Sequence, residues 1–63
     1  MKNFYYVCVK EIDGKRIAFA ETFTNCDNIA YAVKSNNYIE MWPCVTKKES
    51  EKTARDINID YAK

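Results

Sequence analysis

The chain of 63 residues contains no histidine, one glycine and one proline, and each scarcity removes a class of function. Without histidine there is no imidazole base to activate a serine or cysteine, and the commonest metal ligand is missing. A single glycine, Gly14, excludes the phosphate-cradling GxGxxG and GxxxxGK loops, which need more than one. So little Gly and Pro, with hydrophobic residues at 48%, leaves no stretch with the composition of a linker or a disordered tail. An excess of one charge is absent too. Ten Lys/Arg against nine Asp/Glu give a net charge of +1, so the whole molecule exerts no long-range pull on nucleic acid or an anionic membrane. The apolar run Phe4 to Val9 is far short of the roughly 20 residues of a membrane span and too short for most signal-peptide cores. No membrane association is expected, and the expected compartment is the cytoplasm.

Cysteines are few and odd in number: Cys8, Cys26 and Cys44. That count argues against a disulfide-stapled secreted scaffold. Their even spacing makes no CxxC pair, and three thiolates alone lack the usual fourth zinc ligand. No metal or other cofactor is expected, and the thiols are read as reduced and partly buried.

What is present is a strong hairpin signal. "NFYYVCVKEIDGKRIAFAETFTN" places two β-branched and aromatic runs around Asp13-Gly14, a pair suited to a two-residue type I′ turn because both central positions need positive φ. That turn sets Ile12 opposite Lys15, Glu11 opposite Arg16, Val9 opposite Ala18, Val7 opposite Ala20 and Tyr5 opposite Thr22. Side chains alternate across a strand, so one face carries Tyr5, Val7, Val9, Ala18, Ala20 and Thr22. The other carries Phe4, Tyr6, Cys8, Ile12, Ile17, Phe19 and Phe23. Both faces are largely apolar, whereas a hairpin with one face in water shows a polar stripe. Something must cover each.

Residues 27–35 read two ways. Asp27 can cap a short helix holding Ile29, Tyr31, Ala32 and Val33, while Ile29, Tyr31 and Val33 also alternate as in a strand. The two alanines and the Ser-Asn-Asn stop favour one or two helical turns. "YIEMWPCV" follows as a strand, with Ile39, Met41 and Val45 on one side and Tyr38, Glu40, Trp42 and Cys44 on the other. Pro43 cannot donate to a ladder and belongs at an edge or a bulge. From Lys47 to Ala62 the pattern is helical. Thr46 and Glu49 form a T-x-x-E capping box, and Thr53, Ala54, Ile57 and Tyr61 make one apolar stripe. The sum is a single α+β domain over residues 1–63 of the form ββ(α)βα: a three-stranded, mainly antiparallel sheet with one C-terminal amphipathic helix on one face. The helix is expected to dock on Val7, Val9, Ala18 and Ala20 through Ala54, Ile57 and Tyr61.

Catalysis finds little support. Activation of a cysteine would have to come from a neighbouring cation or a helix N-terminus, and although Cys44 precedes Thr46, it reads more simply as a strand-end thiol under the helix. The expectation is a protein that is not an enzyme. Lys47 and Lys48 occupy the first turn of the last helix, where the dipole disfavours cations; with Lys52 and Arg55 they form the candidate anion-binding set. "TKKESEKTA" resembles the start of the last helix in double-stranded-RNA-binding domains, where a lysine cluster grips phosphates, and Lys47, Lys48 and Lys52 are the matching residues. The chain departs from that family at Glu51 and lacks its long first helix and His-containing loop, so nucleic acid ranks second as a partner. A broader resemblance, carried by "NIAYAV" and "PCVTKKESEKTA", is to small uncharacterised proteins of Firmicutes genomes, phages and mobile elements; it implies a context of accessory genes and brings no activity.

The aromatic face supplies the strongest physical argument. Phe4, Tyr6, Ile17, Phe19 and Phe23, joined by Trp42, form the candidate interaction face. At about 150 to 250 Å² for each aromatic they exceed what a monomer usually leaves in water. Either the segment from Ile29 to Val33 with Trp42 covers them, or another chain does. The leading reading is a non-catalytic small module that self-associates through this face or an edge strand, or binds another protein. The second reading is nucleic-acid or phosphate binding at the basic helix start.

Overall fold

The computed structural model describes residues 3–62. Strands β1 (Phe4–Ile12) and β2 (Lys15–Phe23) form the hairpin. Asp13 and Gly14 both take positive φ, 51° and 79°, as a type I′ turn requires. The register is the expected one, from Ile12 opposite Lys15 through Val9 opposite Ala18 to Phe4 opposite Phe23. Helix α1 (Cys26–Asn36), strand β3 (Glu40–Cys44) and helix α2 (Lys47–Tyr61) complete the order. The sheet runs β2-β1-β3 with both pairings antiparallel. Pro43 accordingly sits on an edge strand.

The α+β class and the three antiparallel strands match the sequence expectation; the helix count does not. Residues 26–36 make a full helix of about three turns, longer than the one or two turns expected. Its cap is Asn25 rather than Asp27: the Asn28 backbone N–H donates to Asn25 Oδ1 at 2.8 Å, and the Asn28 amide donates to Thr24 Oγ1 at 3.1 Å. Asp27 falls in the first turn, where its charge suits the helix dipole. The strand-like alternation was misleading, since Tyr31 is 74% exposed. Asn37 ends the helix in the left-handed region at φ 57°, a conformation asparagine tolerates.

Because β2 and β3 both run antiparallel to β1, they are parallel to each other, and α1 is the crossover between them. It passes on the Phe19 side of the sheet, since α2 fills the opposite face and Tyr38, just beyond α1, meets Glu21 of that side. A right-handed connection requires the same placement. α1 packs only lightly, on β2, and contributes no buried residue.

α2 closes the main core, in which Val7, Val9, Ala18 and Ala54 are buried, with Cys44 and Ile57 packed against them. It runs diagonally. It starts beside the end of β3 and finishes near the hairpin turn, packing chiefly on β2, less on β1 and least on β3. Two corners of this face stay open, at Ala20 and Thr22 on β2 and at Glu40 and Trp42 on β3. Ala20 therefore does not join the helix interface as expected, and Tyr61, 40% exposed, overshoots the sheet. The buried strip of α2 holds two polar residues instead, Ser50 and Asn58. Ser50 Oγ donates to the Lys47 carbonyl at 2.7 Å. At the start of α2 the Glu49 N–H donates to Thr46 Oγ1 at 3.1 Å, while Glu49 Oε2 accepts from Val45 N–H at 3.3 Å, one residue earlier than a capping box predicts. Among the described residues no helix is long and apolar enough to cross a membrane.

Candidate functional site

On the Phe19 face the rows of the sheet read Phe4 with Phe23, Tyr6 with Glu21 and Pro43, and Cys8 with Phe19 and Met41. The Tyr6 and Phe23 rings meet edge to face, centroids 5.9 Å apart, and Lys10 Nζ lies 5.2 Å from the Phe19 ring centre. Phe23 is buried, while Phe4, Tyr6, Ile17 and Phe19 are half-buried. The chain's own α1 and Tyr38 thus give this face a partial cover. Glu21, a carboxylate in the middle of this face between Phe19 and Phe23 on β2, escaped the sequence pattern. It engages Tyr38, whose hydroxyl is pushed up to about 12, first by burial and then by the Glu21 charge. Burial likewise pushes the Cys8 thiol up to about 12, with Glu21 adding to it.

Trp42 does not belong to this set. Its register partner is Val7, which places it on the α2 side, opposite Phe4, Tyr6, Phe19 and Phe23. Only Met41 and Pro43 of β3 point to the aromatic side. Trp42 lies in the corner that diagonal α2 leaves open and is 51% exposed, with Ile39 (48%) and Val45 (83%) flanking the strand.

The two sheet edges differ. On β2 the Asn58 side chain acts as a strand neighbour: Ala18 N–H donates to Asn58 Oδ1 at 2.7 Å, and Asn58 Nδ2 donates to the Ala18 carbonyl at 2.9 Å. The outward direction of Ala18 also fixes the phase of the ladders. Opposite Ala18, Val9 turns its backbone to β3, where its carbonyl accepts from Ile39 N–H at 2.7 Å. By alternation Glu40, Trp42 and Cys44 turn their backbone groups inward to β1, and Met41 and Pro43 turn theirs outward. Val45 N–H is taken by Glu49, and Pro43 has no N–H. The open stretch of the β3 edge therefore offers Met41 N–H and the carbonyls of Met41 and Pro43.

Lys47, Lys48, Lys52 and Arg55 are all exposed on α2. At 100° per residue, Lys48, Lys52 and Arg55 share a flank about 60° wide, and Lys47 lies away from it. Glu51 borders that flank, about 40° beyond Arg55. An open groove of about 800 Å³ at the hairpin tip is lined by Gly14, Lys15, Arg16, Ile17, Asn58, Tyr61 and Ala62; the Asn58 amide there is already committed to Ala18. Cys44 is half-buried with its thiol raised by burial and by Glu49, whereas Cys26 is exposed at the start of α1. Among the described residues no group of three or more His, Cys, Asp or Glu could hold a metal ion. No protein-family model matches the chain, and no curated protein or solved structure matches it.

Proposed function

We propose that the chain is a non-catalytic small interaction module that self-associates, in the cytoplasmic setting of a bacterium or a phage. One observation carries this reading. The molecule exposes 4815 Å², about 600 Å² more than the roughly 4,200 Å² expected of a compact monomer of 7.4 kDa. The surplus goes with a flat shape of 38 × 24 × 10 Å, and part of it is apolar, at Ile39, Trp42 and Val45. The core within is slight: Val7, Cys8, Val9, Ala18, Phe23 and Ala54 are its buried hydrophobic residues. A second chain would add buried surface that a domain this small lacks. The raised Cys8 and Cys44 thiols are protonated at neutral pH and poor nucleophiles, which supports a non-catalytic role.

Light scattering or sedimentation at tens of micromolar tests it. The expected mass exceeds that of the monomer and is unchanged in Lys47→Glu/Lys48→Glu. A monomer at every concentration overturns the reading. Salt-dependent binding to RNA that is lost in the double lysine variant would move the function to the basic helix start.

A further inference from the structure

The geometry points to a binding site for a free α-amino acid at the outer edge of the hairpin, where the start of β2 and the last turn of α2 enclose a groove. The site goes beyond self-association and does not depend on it. The groove measures about 800 Å³, inside the range of small-molecule sites, and Asn58 closes one end by bonding Ala18. Ala18 turns its backbone outward there, so by alternation Arg16, which lines the groove, turns its own N–H and carbonyl outward as well. Among the described residues none does for Arg16 what Asn58 does for Ala18.

The two walls differ in sign. On the β2 side stand Lys15 and Arg16. Among the described residues neither makes an ion pair, although Glu11 stands opposite Arg16 in the ladder. On the α2 side the helix ends at Tyr61, which sets the negative pole of its dipole beside the groove, and its last turn holds no basic residue to offset that pole. A lone anion would meet the helix end, and a lone cation would meet Lys15 and Arg16. A zwitterion suits both walls. Its carboxylate accepts from Arg16 N–H and lies by the two side-chain cations. Its ammonium donates to the Arg16 carbonyl and faces the Tyr61 ring, which is 40% exposed and offers a cation–π surface. The donor and acceptor of one α-amino acid thus repeat at Arg16 what the Asn58 amide does at Ala18. Ile17 and Ala62 add apolar lining, which suits an apolar side chain on the ligand.

L-phenylalanine titrated into isotope-labelled protein, followed by amide NMR shifts, tests the site. Saturable shifts should gather on residues 14–18 and 58–62, which carry the groove and its closed end. The dissociation constant should be on the order of a millimolar, as befits about a dozen non-hydrogen atoms in an open site. N-acetyl-L-phenylalanine lacks the ammonium and L-phenylalaninamide lacks the carboxylate. Each should bind about tenfold more weakly, the loss of one charge-assisted hydrogen bond. Arg16→Gln, at an exposed position, should weaken L-phenylalanine to a similar extent with the rest of the amide spectrum retained. Should that variant fail to fold, the comparison of the three ligands on the wild type decides alone. Equal binding of the three ligands, undiminished binding to folded Arg16→Gln, shifts that gather elsewhere, or no saturable shift overturns the site.

Discussion

Asn58 does the work of a missing strand with one side chain. Its amide presents a donor and an acceptor in the spacing of a peptide group, and Ala18 uses both. Asn58→Ala should lower stability by about 1 to 2 kcal/mol, the worth of two part-buried hydrogen bonds whose backbone partners regain water. Asn58→Asp should be worse than alanine above neutral pH, because a carboxylate keeps the acceptor but sets a charge against the Ala18 carbonyl; urea midpoints rank the three. Apolar periodicity could not reveal Asn58, since a polar residue on a buried helix face counts against a stripe. Glu21 was hidden for the same reason on the sheet. Its effect is read through pH. Cys8 and Tyr38 are acids whose neutral forms the fold favours, so as pH rises the unfolded chain loses its protons first. Their contribution is intact below the ordinary thiol value of 9.0 and is lost as pH climbs to about 12. The limiting slope is about 1.4 kcal/mol per pH unit for each proton. Urea midpoints at about pH 8 and about pH 10.5 should differ in the wild type, and the difference should shrink in Cys8→Ala.

Among the elements, the hairpin was fully legible because its turn and its two patterned strands agree, and a two-residue loop fixes the register without reference to the rest of the chain. α2 was legible in extent and cap, for Thr46 is read locally; its docking direction was not. Which residues a diagonal helix leaves uncovered depends on where the preceding strand lies in the sheet. That placement set both Ala20 and Trp42 in water, and it moved Trp42 off the aromatic set to which it had been assigned. For α1 the conflict between helical and strand signals reflects a helix with no buried face. Such a helix draws little stability from tertiary packing, which supplies most of it for a helix of this length. The amide hydrogens of α1 should therefore exchange faster than those in the middle of α2, by hydrogen exchange read with NMR or mass spectrometry. Equal protection in the two helices would mean that α1 is held by contacts stronger than its exposure implies.

At the scale of the whole molecule, near neutrality and a broad surface act together. A net charge of +1 gives no field to steer a polyanion, and the basic flank of α2 is bordered by Glu51. The features that remain are apolar and lie along one side of β3. The strand order also has a consequence in time. β1 and β2 are adjacent in the chain and zip locally, in microseconds for an isolated hairpin, whereas β3 reaches the other side of β1 only after α1 has been crossed. On a ribosome, which adds roughly 5 to 20 residues per second, the nascent hairpin shows the inner edge of β1 to its surroundings for a second or more before β3 emerges. The strand that ends this exposed interval carries the sole tryptophan, so Trp42 emission during refolding should time the closure of the sheet separately from the birth of the hairpin.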